Sequence, residues 1–248
     1  MVIEEQYVLT WKGNWNGSPD TKNHHGEEML SNFGAYVKAG LLICLTSPVR
    51  LAKRIRRFQP PPFVSSIEAR ILESDLRTKL WPVEEIIERS GIEKGMIVLE
   101  LGCGPGVHTM DFAKAIGEEG VLYAVDMQPK MISRLKEKLS KSKSKLEYKY
   151  LSKIETKVAN AYDLPLGDKT IDLVVMVGVL GEIPDKSSAL KEIRRVLKPG
   201  GILAISENLI DPDYPLRKTT RKYCERGGYQ LVKTSGSFFN YVLQFRKV

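Results

Sequence analysis

The sequence predicts an α/β protein with a doubly wound, mostly parallel sheet of seven strands that ends in an antiparallel hairpin. Three observations lead to this prediction. From Gly95 onward, short apolar runs alternate with stretches of helical periodicity. A glycine cluster directly follows the first apolar run. Only residues 235–238 separate the last two apolar runs, and this link is too short for a parallel crossover.

The elements follow in chain order. The first apolar run is typical of a strand buried on both faces. The expected strands are 96–101, 121–125, 157–159, 171–177, 202–206, 230–234 and 239–245. The expected helices are 83–89, 108–116, 129–141, 185–197 and 216–225. Pro82 is expected in the first turn of its helix, Asp185 is expected to cap another, and residues 199–201 are expected to form a turn.

The chain divides into residues 1–80, an N-terminal extension that is partly helical, and residues 81–248, the main domain. Within the extension, residues 40–57 combine an apolar segment with five basic residues. Two interpretations stay open: a segment that lies on a membrane surface, or a lid over the site with solvated charges.

The composition bears on the cellular location of the protein and on whether it binds a metal. The net charge of +8 allows an anionic partner but does not require one. Three widely spaced cysteines and no secretory leader predict a reducing, cytoplasmic location, with peripheral membrane contact left open. No apolar stretch approaches the roughly 20 residues that span a bilayer. The three histidines have no partners at metal-ligand spacing, so we expect no metal site.

The chemistry is concentrated in the segment from Glu100 to Gly106, which reads ELGCGPG between a strand and a helix. Glycines there permit a tight turn and close approach of a ligand, and the helix offers free N–H groups. Asp126 ends the next strand, where a carboxylate can accept hydrogen bonds from ribose hydroxyls. These features suit a dinucleotide or S-adenosylmethionine (SAM). The GxGxG spacing, the LKPGG segment at 197–201 and the terminal hairpin favour SAM over NAD.

With these residues in place, the region from Ile92 to Val248 resembles the class I SAM-dependent methyltransferases, which have a Rossmann-like fold. It is most similar to the ubiquinone/menaquinone biosynthesis C-methyltransferases (methyltransferase type 11). Four segments resemble family motifs in order. They are 98–106 for the glycine motif, 123–127 for the ribose motif, 160–166 with 171–174 for the adenine motif, and 197–201 for the turn after the helix.

The resemblance implies SAM as the cofactor, S-adenosylhomocysteine as the product, and a set of cofactor-binding residues. That set is Glu100, Gly102, Cys103, Gly104, Gly106, Asp126, Met127, Asn160, Ala161, Val177 and Gly178. Glu100 is expected to orient the loop and the amino group of SAM, and Met127 to pack on adenine. Asn160 stands where the family usually has Asp, and its amide oxygen can still accept a hydrogen bond. From the residues alone, Cys103 reads as a small buried filler and not as a nucleophile.

The resemblance further implies a small, lipophilic, quinone-like acceptor. No catalytic base is identified, because Gly181 stands where related enzymes often have His. Two alternatives stay open. One is an RNA-modifying enzyme, suggested by nine basic residues between 134 and 157 with Tyr148 and Tyr150 as the only aromatics for stacking. The other is a SAM-binding protein without catalytic activity.

Overall fold

The computed structural model describes residues 81–142, 151, 153–209, 211 and 213–248. The predicted N-terminal extension, its boundary at residue 80 and its basic segment lie outside these ranges, as do Tyr148 and Tyr150. Those expectations stay predictions. No helix in the described ranges is both long and apolar enough to cross a membrane.

Seven strands and five helices make up the described part of the chain. The strands are β1 (Ile97–Leu101), β2 (Val121–Asp126), β3 (Ile154–Val158), β4 (Ile171–Val177), β5 (Leu197–Asn208), β6 (Tyr229–Gly236) and β7 (Asn240–Lys247). The helices are α1 (Val83–Ser90), α2 (Thr109–Ile116), α3 (Pro129–Ser142), α4 (Lys186–Val196) and α5 (Arg217–Arg226).

All seven strands form one sheet in the order β3-β2-β1-β4-β5-β7-β6. The strands from β3 to β5 pair in parallel, whereas β7 is antiparallel to both β5 and β6. The prediction of a mostly parallel sheet with a terminal hairpin is therefore confirmed. Chain order reverses at β1, which pairs with β2 on one side and β4 on the other.

Apolar side chains cover both faces of the central strands. On one face, Leu99 and Val174 pack with the inward side of α4 and with Cys224 of α5. On the other face, Val98 and Val175 pack with α1 and α2. The near-continuous apolar character of β1 and β4 follows from this burial on both sides.

Two helix ends have capping residues of the kind that such ends favour, and one residue lies outside its expected place. Gly91 ends α1 in the left-handed conformation, with φ of 76°, which a residue with a side chain rarely adopts. Pro82 directly precedes α1 and does not lie in its first turn as expected. The Asp185 carboxylate accepts hydrogen bonds from Ser187 N and Ser188 N, which caps α4 as predicted.

Two strand boundaries were wrong. Strand β3 spans Ile154–Val158 and not 157–159, because Leu122 to Asp126 of β2 provide pairing partners along that whole length. Strand β5 begins at Leu197, where it already pairs with Ile171. The expected turn at 199–201 is instead an irregularity inside β5, marked by the positive φ of 75° at Gly200.

Candidate cofactor and acceptor site

The predicted site residues lie where the order of strands reverses. The loop after β1, the end of β2 and the residues after β4 all lie at the carboxyl edge of the sheet. In an open α/β sheet, the two chain directions diverge at such a point and leave a crevice for a ligand.

The glycine loop is fixed to β2 by backbone hydrogen bonds. Gly102 N and Cys103 N both donate to Val125 O, at 2.8 and 3.0 Å. Gly106 N closes the loop on Cys103 O at 3.0 Å. Gly102, Gly104 and Gly106 have φ of 77°, 54° and 84°, so each adopts a backbone conformation that favours glycine. The loop conformation therefore depends on the three glycines that the sequence singled out.

Asp126 connects the end of β2 to that loop. Its side chain is 8% exposed. Oδ2 accepts from Gly104 N at 2.9 Å, and Oδ1 accepts from Gln128 N at 2.8 Å. Burial raises the pKa of the carboxyl, and the two backbone N–H groups act against that rise. Each carboxylate oxygen has a further lone pair, so both can still accept a ligand hydroxyl.

Glu100 lies beneath the loop, 4% exposed, near the start of α2. Its Oε2 accepts a hydrogen bond from Thr109 Oγ1 at 2.6 Å. Burial raises the pKa of Glu100 to about 8, although the Thr109 hydroxyl lowers it; the charge of Asp126 adds to the rise and that of Lys138 opposes it. The protonated form therefore predominates at neutral pH.

Lys138 of α3 supports the loop from the outside. Its Nζ donates to Gly106 O at 2.8 Å. A Cβ on Gly106 would overlap Leu135 of the same helix, so the loop packs directly against α3. Sequence reasoning did not identify Lys138, because its contact with the loop spans 32 residues.

The loop leaves room for a ligand at Gly104. A Cβ built on Gly104 meets no atom of the described residues within 4 Å, although the Gly104 N–H is hydrogen-bonded to Asp126. A Cβ on Gly102 would instead overlap Val179, in the segment after β4. Thus the loop packs against protein at its first glycine and borders open space at its second. A backbone edge, an adjacent strand-end carboxylate and this open space fit the ribose and methionine portions of SAM.

The remaining predicted residues lie around this edge with different exposures. Cys103 is buried in a cluster with Ala124 and Leu135, and burial raises the pKa of its thiol far above the usual range. Met127 is 56% exposed. Asn160 Oδ1 accepts from Tyr162 N at 3.2 Å, so the amide helps to form a local turn.

The other three predicted residues line the same edge. Val177 is the last residue of β4, and Gly178 follows it. The Gly178 N–H donates to Ser206 O of β5 at 2.9 Å. Ala161, half-buried, packs against the core on the α4 side.

On the β4–β5 side, two loops are packed against each other. A Cβ on Gly181 would overlap Asp213 O, which follows β5. The absence of a His at position 181 therefore has a structural reason, because the Asp213 backbone occupies that space. Lys186 of α4 further fixes the first loop, since its Nζ donates to Ile183 O at 2.7 Å.

Sequence reasoning missed Glu207, which lies beneath these loops near the end of β5. Its side chain is 1% exposed, and Oε1 has no hydrogen-bond partner among the described residues. Burial and the nearby Asp211 raise the pKa of Glu207 well above its usual range, while the Leu180 N–H lowers it. An acid at the end of an apolar run was the available signal, the same signal that identified Asp126.

Comparison with known proteins agrees with this geometry. A family model described as a methyltransferase domain matches residues 92–235, more than half of the chain. The ubiquinone/menaquinone biosynthesis C-methyltransferase UbiE of Cronobacter sakazakii is 33% identical over 164 residues, which cover 64% of this chain and 62% of that protein. The matches span between half and two thirds of the length of such curated relatives.

Solved structures share the fold. A SAM-dependent methyltransferase from Aquifex aeolicus superposes with a TM-score of 0.65 at 24% identity, covering 72% of this chain and 96% of its own. The [4+2]-cyclase SpnF superposes with a TM-score of 0.56 at 16% identity, covering 66% of this chain and 80% of its own. At these identities the likeness concerns the fold alone. The family match over residues 92–235, together with the glycine loop and Asp126, shows that the chain belongs to the class I SAM-dependent methyltransferases, with SAM as its cofactor.

Proposed function

We propose that this protein transfers the methyl group of SAM to a carbon atom of a small, lipophilic, quinone-like acceptor. The observation that carries the methyl-transfer part is the open space at Gly104 beside the Asp126 carboxylate, at the point of strand reversal. The acceptor class is supported by the similarity to the ubiquinone/menaquinone biosynthesis C-methyltransferases UbiE, which are 33–34% identical over part of their length.

In this proposal, the cofactor contacts the residues that the sequence analysis selected. Asp126 accepts the ribose hydroxyls with the lone pairs that its backbone donors leave free. Gly102, Gly104 and Gly106 bring backbone against the ribose and methionine portions. Glu100 lies near enough to the loop to orient the amino group, and a cationic amine beside it would lower its raised pKa.

The other proposed cofactor contacts surround the adenine and the methyl end. They are Met127, Asn160 and Ala161 for the adenine, Val177 and Gly178 for the methyl end, and Cys103 as the buried residue that supports the loop. Because Asn160 Oδ1 already accepts from Tyr162 N, only part of its capacity is available to the adenine amino group.

When bound, SAM supplies a methyl group on a positively charged sulfur, which is activated for direct attack. The protein then has to hold the acceptor in line, and such positioning is worth up to roughly 7–11 kcal/mol in favourable cases. In this proposal, Gly178 and Val179 hold the acceptor. Val179 lies against Gly102 of the glycine loop, and Gly178 is hydrogen-bonded to β5. No catalytic base is assigned.

Incubation of the full-length protein with methyl-labelled SAM and a fractionated cell extract tests the proposal. We expect label in the lipid-soluble quinone fraction, and loss of most labelling with Asp126→Ala. Val232→Ser is the matched control, because Val232 is an exposed residue on the edge strand β6, at the other side of the sheet. Label in RNA would contradict the acceptor class, and SAM binding without any labelled product would contradict the activity.

A further inference from the structure

Three apolar side chains are exposed together where the β6–β7 turn meets the start of α5. Phe238 and Phe239 of the turn are 60% and 41% exposed, and Leu216, directly before α5, is 55% exposed. We refer to these three residues as the apolar tip. Single exposed apolar residues are common in proteins, but a group of large ones marks an interaction surface.

The apolar tip is held in place by the surrounding backbone. Tyr214 Oη donates to Phe238 O at 2.6 Å, and Leu209 N donates to Phe239 O at 2.7 Å. The Phe238 ring packs edge-on against Tyr214 and against Phe239, with centroid separations of 6.5 and 5.8 Å. Arg217 joins the two parts of the tip, because its guanidinium donates to Ser237 O at 2.6 Å. The exposed rings are therefore positioned by several hydrogen bonds.

Positive charge lies beside the apolar tip, on helix α5. Helix α5 carries five basic residues and a single acidic one. Lys218, Arg221 and Lys222 are exposed on the helix, and Glu225 forms an ion pair with Arg221. Asp211 and Asp213 of the preceding loop are half-buried, and Asp211 Oδ1 accepts from Asp213 N. The exposed face next to the tip is thus predominantly cationic.

The apolar tip lies at the same edge of the sheet as the cofactor site. Strand β7 begins at Asn240, which pairs with Asn208 at the carboxyl end of β5. The turn before Asn240 therefore lies beyond that end, on the side where Gly178 is bonded to β5. A surface bound at the tip would face the loops that follow β4 and β5.

From this arrangement we propose that the apolar tip and the basic residues of α5 dock the protein on an anionic lipid surface. Aromatic and aliphatic side chains insert at the headgroup boundary, and neighbouring lysines and arginines attract anionic headgroups. The inference deepens the proposed function, because a lipophilic acceptor is delivered from a membrane at this edge. The proposed docking surface does not include residues 40–57.

An RNA partner fits this surface less well. Sequence-tolerant RNA binding relies on ring faces on which bases stack. Here the Phe238 and Phe239 rings meet edge-to-face at 84°, and the third member of the tip, Leu216, offers no ring. Charge complementarity with insertion of apolar side chains therefore favours lipid.

Co-sedimentation of the full-length protein with vesicles tests the proposal. We expect binding to vesicles of equal parts phosphatidylcholine and phosphatidylglycerol, and little binding to phosphatidylcholine alone. The double variant Phe238→Ser/Phe239→Ser and the double variant Lys218→Glu/Lys222→Glu should each weaken binding at least about tenfold. Because the two lysines are exposed, the second variant keeps the test valid if the first fails to fold.

Two matched controls separate the apolar tip from general effects. Lys114→Glu/Lys136→Glu makes the same change in net charge on the exposed sides of α2 and α3, and Val158→Ser removes an exposed apolar side chain at the opposite edge of the sheet. Both controls should bind vesicles within about twofold of the parent, since lipid attraction acts locally.

Equal vesicle binding by parent and tip variants would overturn the proposal. Preferential, tip-dependent binding of RNA over vesicles would also overturn it, as would tip-dependent self-association without vesicle binding. Vesicle binding is measured without an acceptor, so it is separable from the proposed reaction. If vesicles bind through the tip while no quinone is methylated, docking stands and the proposed function fails.

Discussion

The two halves of the carboxyl edge differ in how their strand-end acids are hydrogen-bonded. On the cofactor side, Asp126 ends β2, and both its oxygens accept backbone N–H groups from the glycine loop and the start of α3. On the β4–β5 side, which we propose receives the acceptor and therefore call the acceptor side, Glu207 lies near the end of β5 and is more deeply buried. Its Oε1 has no hydrogen-bond partner among the described residues.

The difference shows how each half is organised. On the cofactor side, backbone N–H groups and the side chains of Thr109 and Lys138 satisfy the strand-end carboxylates and the glycine loop. The acceptor side retains a buried carboxyl whose neighbours come from two separate loops. An unsatisfied buried polar group costs about 1–3 kcal/mol, so this half is stabilised less by its own contacts.

Asp126→Ala should give the largest effect on the cofactor side. Loss of charge-assisted hydrogen bonds to the ribose, worth roughly 1.5–3 kcal/mol, should weaken SAM binding at least about tenfold. The melting temperature should also fall, because the N–H groups of Gly104 and Gln128 lose their acceptor. Calorimetric titration and thermal denaturation measure the two effects.

Asp126→Asn is the control, since it keeps an acceptor oxygen without the charge and should be intermediate in SAM affinity. If Asp126 serves only to hold the chain, the alanine variant will melt earlier yet bind SAM as well as the parent protein does.

A comparison of Gly104→Ala with Gly102→Ala should give a smaller effect on SAM binding than Asp126→Ala. It distinguishes a glycine that leaves room for a ligand from a glycine that packs against protein. Both glycines have positive φ, so both variants carry backbone strain of about 1 kcal/mol. Only the Gly102 variant overlaps a neighbour, Val179, whereas the Gly104 variant extends into open space. For Gly104→Ala we expect severalfold weaker SAM binding and a melting temperature lowered by the strain alone, whereas Gly102→Ala should have a clearly larger fall in melting temperature. Equal SAM affinity of Gly104→Ala and the parent would show that no ligand approaches that backbone.

The pH dependence of the free energy of unfolding tests both halves together. Burial raises the folded-state pKa of Glu100 to about 8. Since the folded state then holds more protons than the unfolded state, stability is greatest below the ordinary Glu range and is lost as pH rises toward 8. The free energy of unfolding should therefore fall between about pH 5 and 8.

Glu100→Gln should flatten the curve of unfolding free energy against pH in this interval. Glu207, whose pKa is also raised, contributes a slope of the same sign, and Glu207→Gln should flatten it further. Denaturant unfolding at several pH values measures the slopes. Curves for the two variants that run parallel to that of the parent protein would show that burial does not raise the pKa of these carboxyls.

The sequence indicated the glycine loop and Asp126 because strand order brings them together. The three glycines with positive φ lie within five residues of each other after β1, and Asp126 ends the adjacent parallel strand β2. The cofactor contacts of all the predicted site residues stay predictions. Asn160 also helps to form a local turn, because its Oδ1 accepts a hydrogen bond from Tyr162 N. The replacement of the family's usual Asp by Asn did not indicate this role.

The acceptor side could not be predicted because its contacts join distant segments. The exclusion of a side chain at Gly181 depends on Asp213, and the apolar tip depends on the meeting of Leu216 with the turn at Phe238. The start of β5 was missed for a similar reason, since its first residue is recognised by pairing with Ile171 and not by its own periodicity.

Calorimetric titration of the full-length protein with SAM and, separately, with NAD tests the central claim most directly. The account predicts micromolar binding of SAM with one site per chain and no binding of NAD, because the GxGxG spacing, the LKPGG segment and the terminal hairpin favour SAM over NAD. Binding of NAD without binding of SAM would contradict it.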